Sequence, residues 1–203
     1  MLSTVILISG RGTNMKAIVE AQIPNVQIKA IISNDPEAKG LEYAKQQGIE
    51  AVVVNHKEFA NRSAFDTALK ACIDQFEVDL VILAGFMRIL TPDFVQHYRG
   101  RLLNIHPSLL PLFKGLHTHE RALEAGVKEH GVSVHFVTED LDGGPIIAQA
   151  RVPVLEGDDA DALAGRVLVQ EHQIYPKVVQ WFAEGRLKLQ DSQVLLDGEA
   201  VTF

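Results

Sequence analysis

The sequence predicts an α/β protein with a doubly wound, mostly parallel sheet covered by helices on both faces. Apolar runs of buried-strand length, rich in β-branched residues, recur through the first 84 residues, and segments with helical spacing separate them. Parallel strands joined by right-handed helical crossovers form such a sheet. The predicted strands of this part are Leu2–Ser9, Val26–Ser33, Ile49–Val54 and Val78–Ala84.

The intervening segments carry helix signals. In the clearest one, Phe65, Leu69 and Ile73 recur at helical spacing opposite a polar face. A short helix follows the fourth strand, with a proline near its first turn. The predicted helices are Met15–Gln22, Glu37–Gln47, Arg62–Phe76 and Pro92–Tyr98.

The second half of the sequence predicts two further strands, Gly131–Thr138 and Ile146–Val154, which we expect to pair. A long amphipathic helix follows over Asp158–Ala183, and Pro176 should kink or interrupt it. Three short segments, starting at Leu187, predict a small C-terminal β appendage. No polar linker separates these parts, so we expect a single domain over residues 1–203, with halves at 1–100 and 101–203.

Composition excludes several classes of protein. The net charge of −7 argues against a nucleic-acid-binding surface. No apolar run has membrane-spanning length, and the residues after Met1 lack a signal-peptide pattern. The single cysteine, Cys72, rules out an intramolecular disulfide and is typical of a reducing compartment. We therefore expect a cytoplasmic protein that binds neither nucleic acid nor membrane.

The segment from Leu102 to Pro111 predicts a strand that ends in functional side chains. Alternation places Asn104 and His106 on one face, and Pro107 then turns the chain out of the sheet. An amide that can donate to a developing oxyanion, beside an imidazole that can carry a proton, is a plausible acyl-transfer pair. The alternative is that both side chains merely satisfy loop backbone.

The glycine-rich turn after the first strand predicts a phosphate site. Gly10 and Gly12 begin a dinucleotide fingerprint, but its third glycine would fall at Met15, so that motif fails. Backbone N–H groups, the Thr13 hydroxyl and the helix dipole remain and suit a single phosphate. The alternative is an ordinary tight turn, with Thr13 or Asn14 capping the helix.

Other polar residues permit weaker interpretations. His117 and His119 lack a third ligand at convincing spacing, so we expect no metal site. Asp142, which precedes two glycines, is either a turn residue or the carboxylate that orients and charges an imidazole.

Taken together, these motifs resemble those of the folate-dependent formyltransferases. The match extends from about Val5 to Leu196 and is closest to members whose acceptor is 5′-phosphoribosylglycinamide. The segments that carry it are Ile8–Asn14, Ala84–Leu90, Asn104–Pro111, Gly115–His119, Ser133–Val137, Asp142–Pro145 and Gln170–His172. The resemblance implies a Rossmann-like formyltransferase fold, with a phosphate-binding first half and a catalytic, folate-binding second half.

The implied reaction moves a formyl group from 10-formyltetrahydrofolate, as co-substrate, to the glycine amine of phosphoribosylglycinamide in purine biosynthesis. Asn104, His106 and Asp142 match the catalytic residues of the family. Asn104 and protonated His106 would stabilise the oxyanion, and Asp142 would favour the imidazolium by raising the His106 pKa. An already activated formyl donor requires no metal.

The resemblance also implies the substrate contacts. One departure concerns Leu168, where relatives often have glutamine, so phosphate binding here would need another donor such as Gln170 or Arg11. The implied phosphoribosylglycinamide contacts are Gly12, Thr13, Asn14 and Glu171. The implied folate contacts are Arg62, Met87, Arg88, Ile89, Leu90, Asn104 and Val137.

Two other reactions of the family remain as alternatives, namely formylation of methionyl-tRNA and hydrolysis of the folate. A tRNA enzyme would be expected to carry a basic C-terminal domain, whereas this chain has net negative charge. We therefore expect small-molecule substrates and either a monomer or a homodimer.

Overall fold

The computed structural model describes residues 1–203 and contains a mostly parallel seven-stranded sheet with helices between the strands. The strand order is β3-β2-β1-β4-β5-β6-β7, and a separate three-stranded sheet has the order β10-β9-β8. The predicted fold class is therefore confirmed. The strands are β1 (Leu2–Ile8), β2 (Val26–Ser33), β3 (Glu50–Val53), β4 (Leu80–Leu83), β5 (Leu102–His106), β6 (Glu129–Phe136), β7 (Ile146–Pro153), β8 (Leu187–Gln190), β9 (Gln193–Leu196) and β10 (Glu199–Ala200).

Six α-helices and one 3₁₀ turn connect the strands. Each longer helix begins where the sequence supplies a cap: the Asn61 side chain accepts a hydrogen bond from Ala64 N at 2.8 Å, and that of Asp159 accepts from Ala162 N at 2.8 Å. The helices are α1 (Thr13–Glu20), α2 (Gly40–Gln46), α3 (Arg62–Asp74), α4 (Pro92–His97), α5 (Thr118–Ala125) and α6 (Ala160–Ala183), and the 3₁₀ turn is His56–Glu58. None of the helices is both long and apolar enough to cross a membrane.

The chain divides into two compact units, Met1–Asn104 and Ile105–Phe203. In the first unit β1 pairs in parallel with both β2 and β4, so the direction of winding reverses between β1 and β4. Ligands of open α/β sheets bind beyond the carboxyl ends of the strands at such a reversal. The glycine-rich turn follows β1 and the segment starting at Gly85 follows β4, so both lie at this edge.

In the second unit β6 and β7 pair, as the sequence predicted, and the pairing is antiparallel with a register shift between Val134 and His135. Helix α6 packs against both strands through buried residues such as Leu163 and Val178. The small C-terminal sheet is also confirmed.

Two predictions about the helices are corrected by the structure: Pro176 does not interrupt α6, and α2 begins later than expected. Helix α6 continues through Pro176 as one element of 24 residues, because buried Tyr175 and Val178 hold the helix to the sheet on both sides of the missing N–H. Helix α2 begins at Gly40 rather than Glu37, because Gly40 N donates to Gly10 O at 3.0 Å. A Cβ at Gly40 would lie 2.5 Å from Ile8 Cδ1 and 3.1 Å from Arg11 O, so a larger residue would require the Ile8 side chain to move.

Candidate active site

The carboxyl end of β5 presents the two polar side chains that the alternation predicted. Leu103 and Ile105 are buried, and Asn104 and His106 occupy the intervening positions of the same strand. Asn104 is half-buried and His106 is 6% exposed, so the imidazole is largely shielded from water while a neighbouring amide remains accessible. An acyl-transfer reaction needs donors in such a water-poor setting.

The His106 ring has an acceptor facing each of its nitrogens. Nε2 lies 2.8 Å from Phe113 O, and Nδ1 lies 3.6 Å from Asp142 Oδ2. Because a carbonyl oxygen can only accept, Nε2 must carry a hydrogen. The Asp142 carboxylate on the other side of the ring faces Nδ1, so the two nitrogens are held between two acceptor groups.

The glycine-rich turn after β6 fixes Asp142 in place. The Asp142 side chain is 9% exposed, and its Oδ2 also accepts a hydrogen bond from Gly115 N at 2.9 Å. A Cβ at Gly144 would lie 1.8 Å from Phe136 O, so a side chain there would push the turn away from the end of β6. The glycine therefore lets the turn approach closely enough to carry Asp142 to His106.

Two further histidines of this unit, half-buried His119 and buried His130, form a pair. His119 Nδ1 lies 3.1 Å from His130 Nε2, and the two rings meet edge to face. Burial lowers the pKa of His130 to about 4, and the neighbouring His119 and His106 contribute to that shift. The pKa of His119 is lowered as well, mainly by burial. Both rings are therefore held in the neutral form near neutral pH.

The lowered pKa values of this histidine pair predict that the folded protein loses stability in acid. Since the folded pKa of His130 lies below the ordinary value of about 6.5, protonation favours the unfolded chain, and stability declines as the pH falls from about 6.5 toward 4. Over this pH interval we expect the free energy of unfolding of the parent protein to fall by about 2 kcal/mol more than that of the His130→Gln variant, a figure that allows for solvent screening. Urea unfolding at each pH gives the measurement. The exposed His117, replaced by asparagine, provides the control and should leave the pH dependence unchanged. An identical slope in His130→Gln and the parent protein would contradict the assignment.

In the first unit, the glycine-rich turn leaves the start of α1 open. Gly12 is the N-cap residue, with φ of 67°, and no side chain caps the helix. The alternative that Thr13 or Asn14 acts as the cap is therefore wrong. The first N–H groups of α1, including those of Thr13 and Asn14, lie at the positive end of the helix dipole, where an anion is favoured.

The segment after β4 contacts this turn through one hydroxyl. Met87 N donates to Ser9 Oγ at 2.8 Å, and Ser9 directly precedes Gly10. Met87 and Ile89 are 65% and 53% exposed, and the Arg88 guanidinium lies 5.9 Å from the Phe65 ring centre. The structure thus brings the predicted folate segment Met87–Leu90 next to the predicted phosphate turn.

Three other candidate binding residues lie on separate elements of the structure. Arg62 is the exposed first residue of α3, three positions before Phe65. Glu171 is 8% exposed on α6, and half-buried Val137 directly follows β6. Of the candidates in the second unit, the structure joins His106 and Asp142 directly.

Sequence reasoning missed several contacts at these sites. The Phe113 carbonyl and the Gly115 amide are backbone groups, which every residue possesses, so no residue type indicated them. The pair of His119 and His130 joins a helix to a strand that the sequence did not connect. Ser9 could have been noticed as a hydroxyl residue at a strand end.

Comparison with known proteins shows the family to which the chain belongs. The sequence model of the formyl transferase family matches residues 2–179. A phosphoribosylglycinamide formyltransferase of Escherichia coli is 53% identical over 201 residues, covering 98% of this chain and 95% of that one. The corresponding enzyme of Haemophilus influenzae is 47% identical over 205 residues, covering 99% and 96%. A phosphoribosylglycinamide formyltransferase structure from Coxiella burnetii superimposes with a TM-score of 0.95 at 51% identity, covering 99% of this chain and 96% of that one.

The mostly parallel sheet and the family match together identify an α/β transferase. The chain belongs to the formyl transferase family, and it is an enzyme.

Proposed function

We propose that this enzyme transfers the formyl group of 10-formyltetrahydrofolate to the glycine amine of 5′-phosphoribosylglycinamide, a step of purine biosynthesis. The observation that carries the chemistry is the His106 ring, held between the Phe113 carbonyl and the Asp142 carboxylate on the strand that also bears Asn104. Two relatives, 53% and 47% identical to this chain, are phosphoribosylglycinamide formyltransferases, and this supports the choice of acceptor.

The proposed reaction needs hydrogen-bond donors directed at the oxygen of the formyl group. The acceptor amine attacks the formyl carbon, and the carbonyl oxygen becomes an oxyanion. The Asn104 amide and protonated His106 donate to that oxygen, and Asp142 keeps the imidazole protonated. The tetrahedral intermediate then collapses: the bond to the folate nitrogen breaks, that nitrogen takes a proton, and the attacking amine loses one.

His106 Nε2 is engaged in the ligand-free structure. Its hydrogen already contacts Phe113 O at 2.8 Å, and Asp142 holds Gly115 of the same loop. For Nε2 to donate to the oxyanion, the formyl oxygen must replace the Phe113 carbonyl. Loop Phe113–Gly115 therefore moves when the donor binds.

The first unit supplies the binding functions in this proposal. The turn Gly12–Asn14 holds the acceptor phosphate, and Arg62 with Met87–Leu90 contacts the folate. Glu171 and Val137 of the second unit contribute the remaining contacts, with Glu171 near the acceptor amine and ribose. Support comes from the uncapped start of α1 and from the exposed segment beside it.

The phosphate role of Gly12 can be tested by substitution. Gly12→Val should raise the KM for phosphoribosylglycinamide about tenfold or more and leave the KM for the folate within about twofold, because a Cβ there would lie 2.8 Å from Met15 Cε and would displace the turn that holds the phosphate. Gly12→Asn separates crowding from backbone strain, since asparagine tolerates the observed φ of 67°. A normal acceptor KM in Gly12→Asn, or equal increases for both substrates, would contradict the phosphate role.

The proposed reaction predicts that folate consumption depends on the acceptor. Purified protein with 10-formyltetrahydrofolate should release tetrahydrofolate rapidly only after phosphoribosylglycinamide is added, as followed by absorbance. Equally rapid release without an acceptor would indicate hydrolysis, and release dependent on methionyl-tRNA would indicate the other family reaction. Either result would overturn the proposed acceptor.

A further inference from the structure

The segment Met87–Leu90 is partly exposed, and its backbone is anchored at its first residue, Met87, and at the residue that follows it, Thr91. It has neither helical nor strand structure, and Met87 and Ile89 point substantially into solvent. Met87 N donates to Ser9 Oγ at 2.8 Å, and Thr91 N donates to Asp66 Oδ2 at 2.6 Å. Two side chains from different elements therefore fix the backbone at the two ends of the segment.

The Ser9 anchor is oriented by a second buried side chain. The Ser9 hydroxyl donates to Asn34 Oδ1 at 2.5 Å, and Asn34 is 5% exposed. Asn34 Nδ2 lies 3.1 Å from His56 Nδ1, which fixes the amide in turn. Because the hydroxyl hydrogen points to Asn34, a lone pair of Ser9 remains directed at Met87 N.

The Asp66 anchor is a buried carboxylate on α3. Asp66 is 3% exposed, and its second oxygen, Oδ1, has no hydrogen-bond partner. Such burial costs free energy, so a general contribution to stability is a poor explanation of this carboxylate. Phe65, the residue beside it, packs under the Arg88 guanidinium, so the same turn of α3 contacts the segment twice.

We propose that Ser9 and Asp66 are positioning residues that clamp the Met87–Leu90 segment in its folate-binding conformation. The proposal rests on the proposed function, in which this segment contacts the folate. The clamp restricts the backbone before the ligand arrives, so binding does not have to order it. Loss of either anchor should therefore weaken folate binding while leaving the chemical step intact.

The test measures binding of tetrahydrofolate to the full chain by calorimetry, together with the kinetics. We expect Ser9→Ala and Asp66→Ala to raise the Kd for tetrahydrofolate and the KM for 10-formyltetrahydrofolate about tenfold, with kcat within about threefold. Asp66→Asn keeps an oxygen that can accept from Thr91 N, so it should restore most of the affinity. Amide hydrogen exchange in the ligand-free protein should become faster at Met87 in Ser9→Ala and at Thr91 in Asp66→Ala.

Two control variants remove comparable contacts elsewhere. Thr4→Val deletes a buried hydroxyl that donates to Leu80 O at 2.8 Å, and Asp74→Asn alters a carboxylate on the same helix as Asp66. Both should bind tetrahydrofolate like the parent protein. Equal weakening in a control, failure of Asp66→Asn to restore binding, or unchanged binding in both alanine variants would overturn the clamp. A parent protein that binds no tetrahydrofolate would instead overturn the proposed function, and the clamp with it.

Discussion

His106→Ala is expected to lower kcat by a factor on the order of a hundred or more while changing both KM values little. The imidazole acts mainly on charge that develops during the reaction, and loss of one such donor commonly costs this much. The ring contacts Phe113 O and Asp142 through its two nitrogens. Steady-state kinetics at saturating concentrations of both substrates give the measurement.

A second histidine–carboxylate pair provides the control. His97 Nε2 lies 2.8 Å from Asp74 Oδ2 in the first unit, on exposed side chains at the C-terminal ends of α4 and α3. His97→Ala should keep kcat near that of the parent protein.

Asn104→Ala should lower kcat similarly to His106→Ala. The double variant should lose less than the product of the two factors, because both groups serve one oxyanion. Near-normal turnover in His106→Ala would refute the assigned role.

Asp142→Asn is expected to lower kcat tenfold to a hundredfold, as an order of magnitude, without disturbing the fold. Asp142 has φ of 50°, which asparagine tolerates, and an asparagine oxygen can still accept from Gly115 N. The substitution therefore removes the carboxylate charge and keeps the loop contact. In the proposed mechanism this charge stabilises the imidazolium that donates to the oxyanion, so its loss should slow the chemical step.

The direction of the pH dependence follows from this account. Activity of Asp142→Asn should partly recover as the pH is lowered, until the acceptor amine becomes protonated and can no longer attack. NMR titration of the His106 ring should show its midpoint at lower pH in the variant than in the parent protein. A midpoint that stays in place or moves to higher pH would leave Asp142 as a residue that only holds the loop through Gly115.

The sequence predicted those strands whose buried positions require a recognisable pattern of apolar residues. The apolar, β-branched run Val26–Ser33 was predicted with the same limits as strand β2. The placement of Asn104 and His106 at alternate positions of β5 followed from the two-residue period of a strand. The order of the seven strands could not be predicted residue by residue, because it depends on pairing between distant segments.

Contacts that involve backbone atoms were beyond sequence reasoning. The approach of Phe113 O to His106 and that of Gly40 N to Gly10 O use groups that every residue carries. Helix α6 continued through Pro176 because packing against β6 and β7 outweighed the local cost of proline. The Asp66 carboxylate lies beside the apolar positions of α3, and its partner, Thr91 N, is again a backbone group. Tertiary contacts decided all of these features.

The central claim is tested most directly by tracing the formyl carbon. The protein is given 10-formyltetrahydrofolate labelled with ¹³C at the formyl group, together with phosphoribosylglycinamide and methionyl-tRNA in water, and the products are followed by NMR. The account predicts that the label appears on the glycine nitrogen of phosphoribosylglycinamide and that His106→Ala abolishes most of this transfer. Label recovered as free formate or on methionyl-tRNA would contradict it.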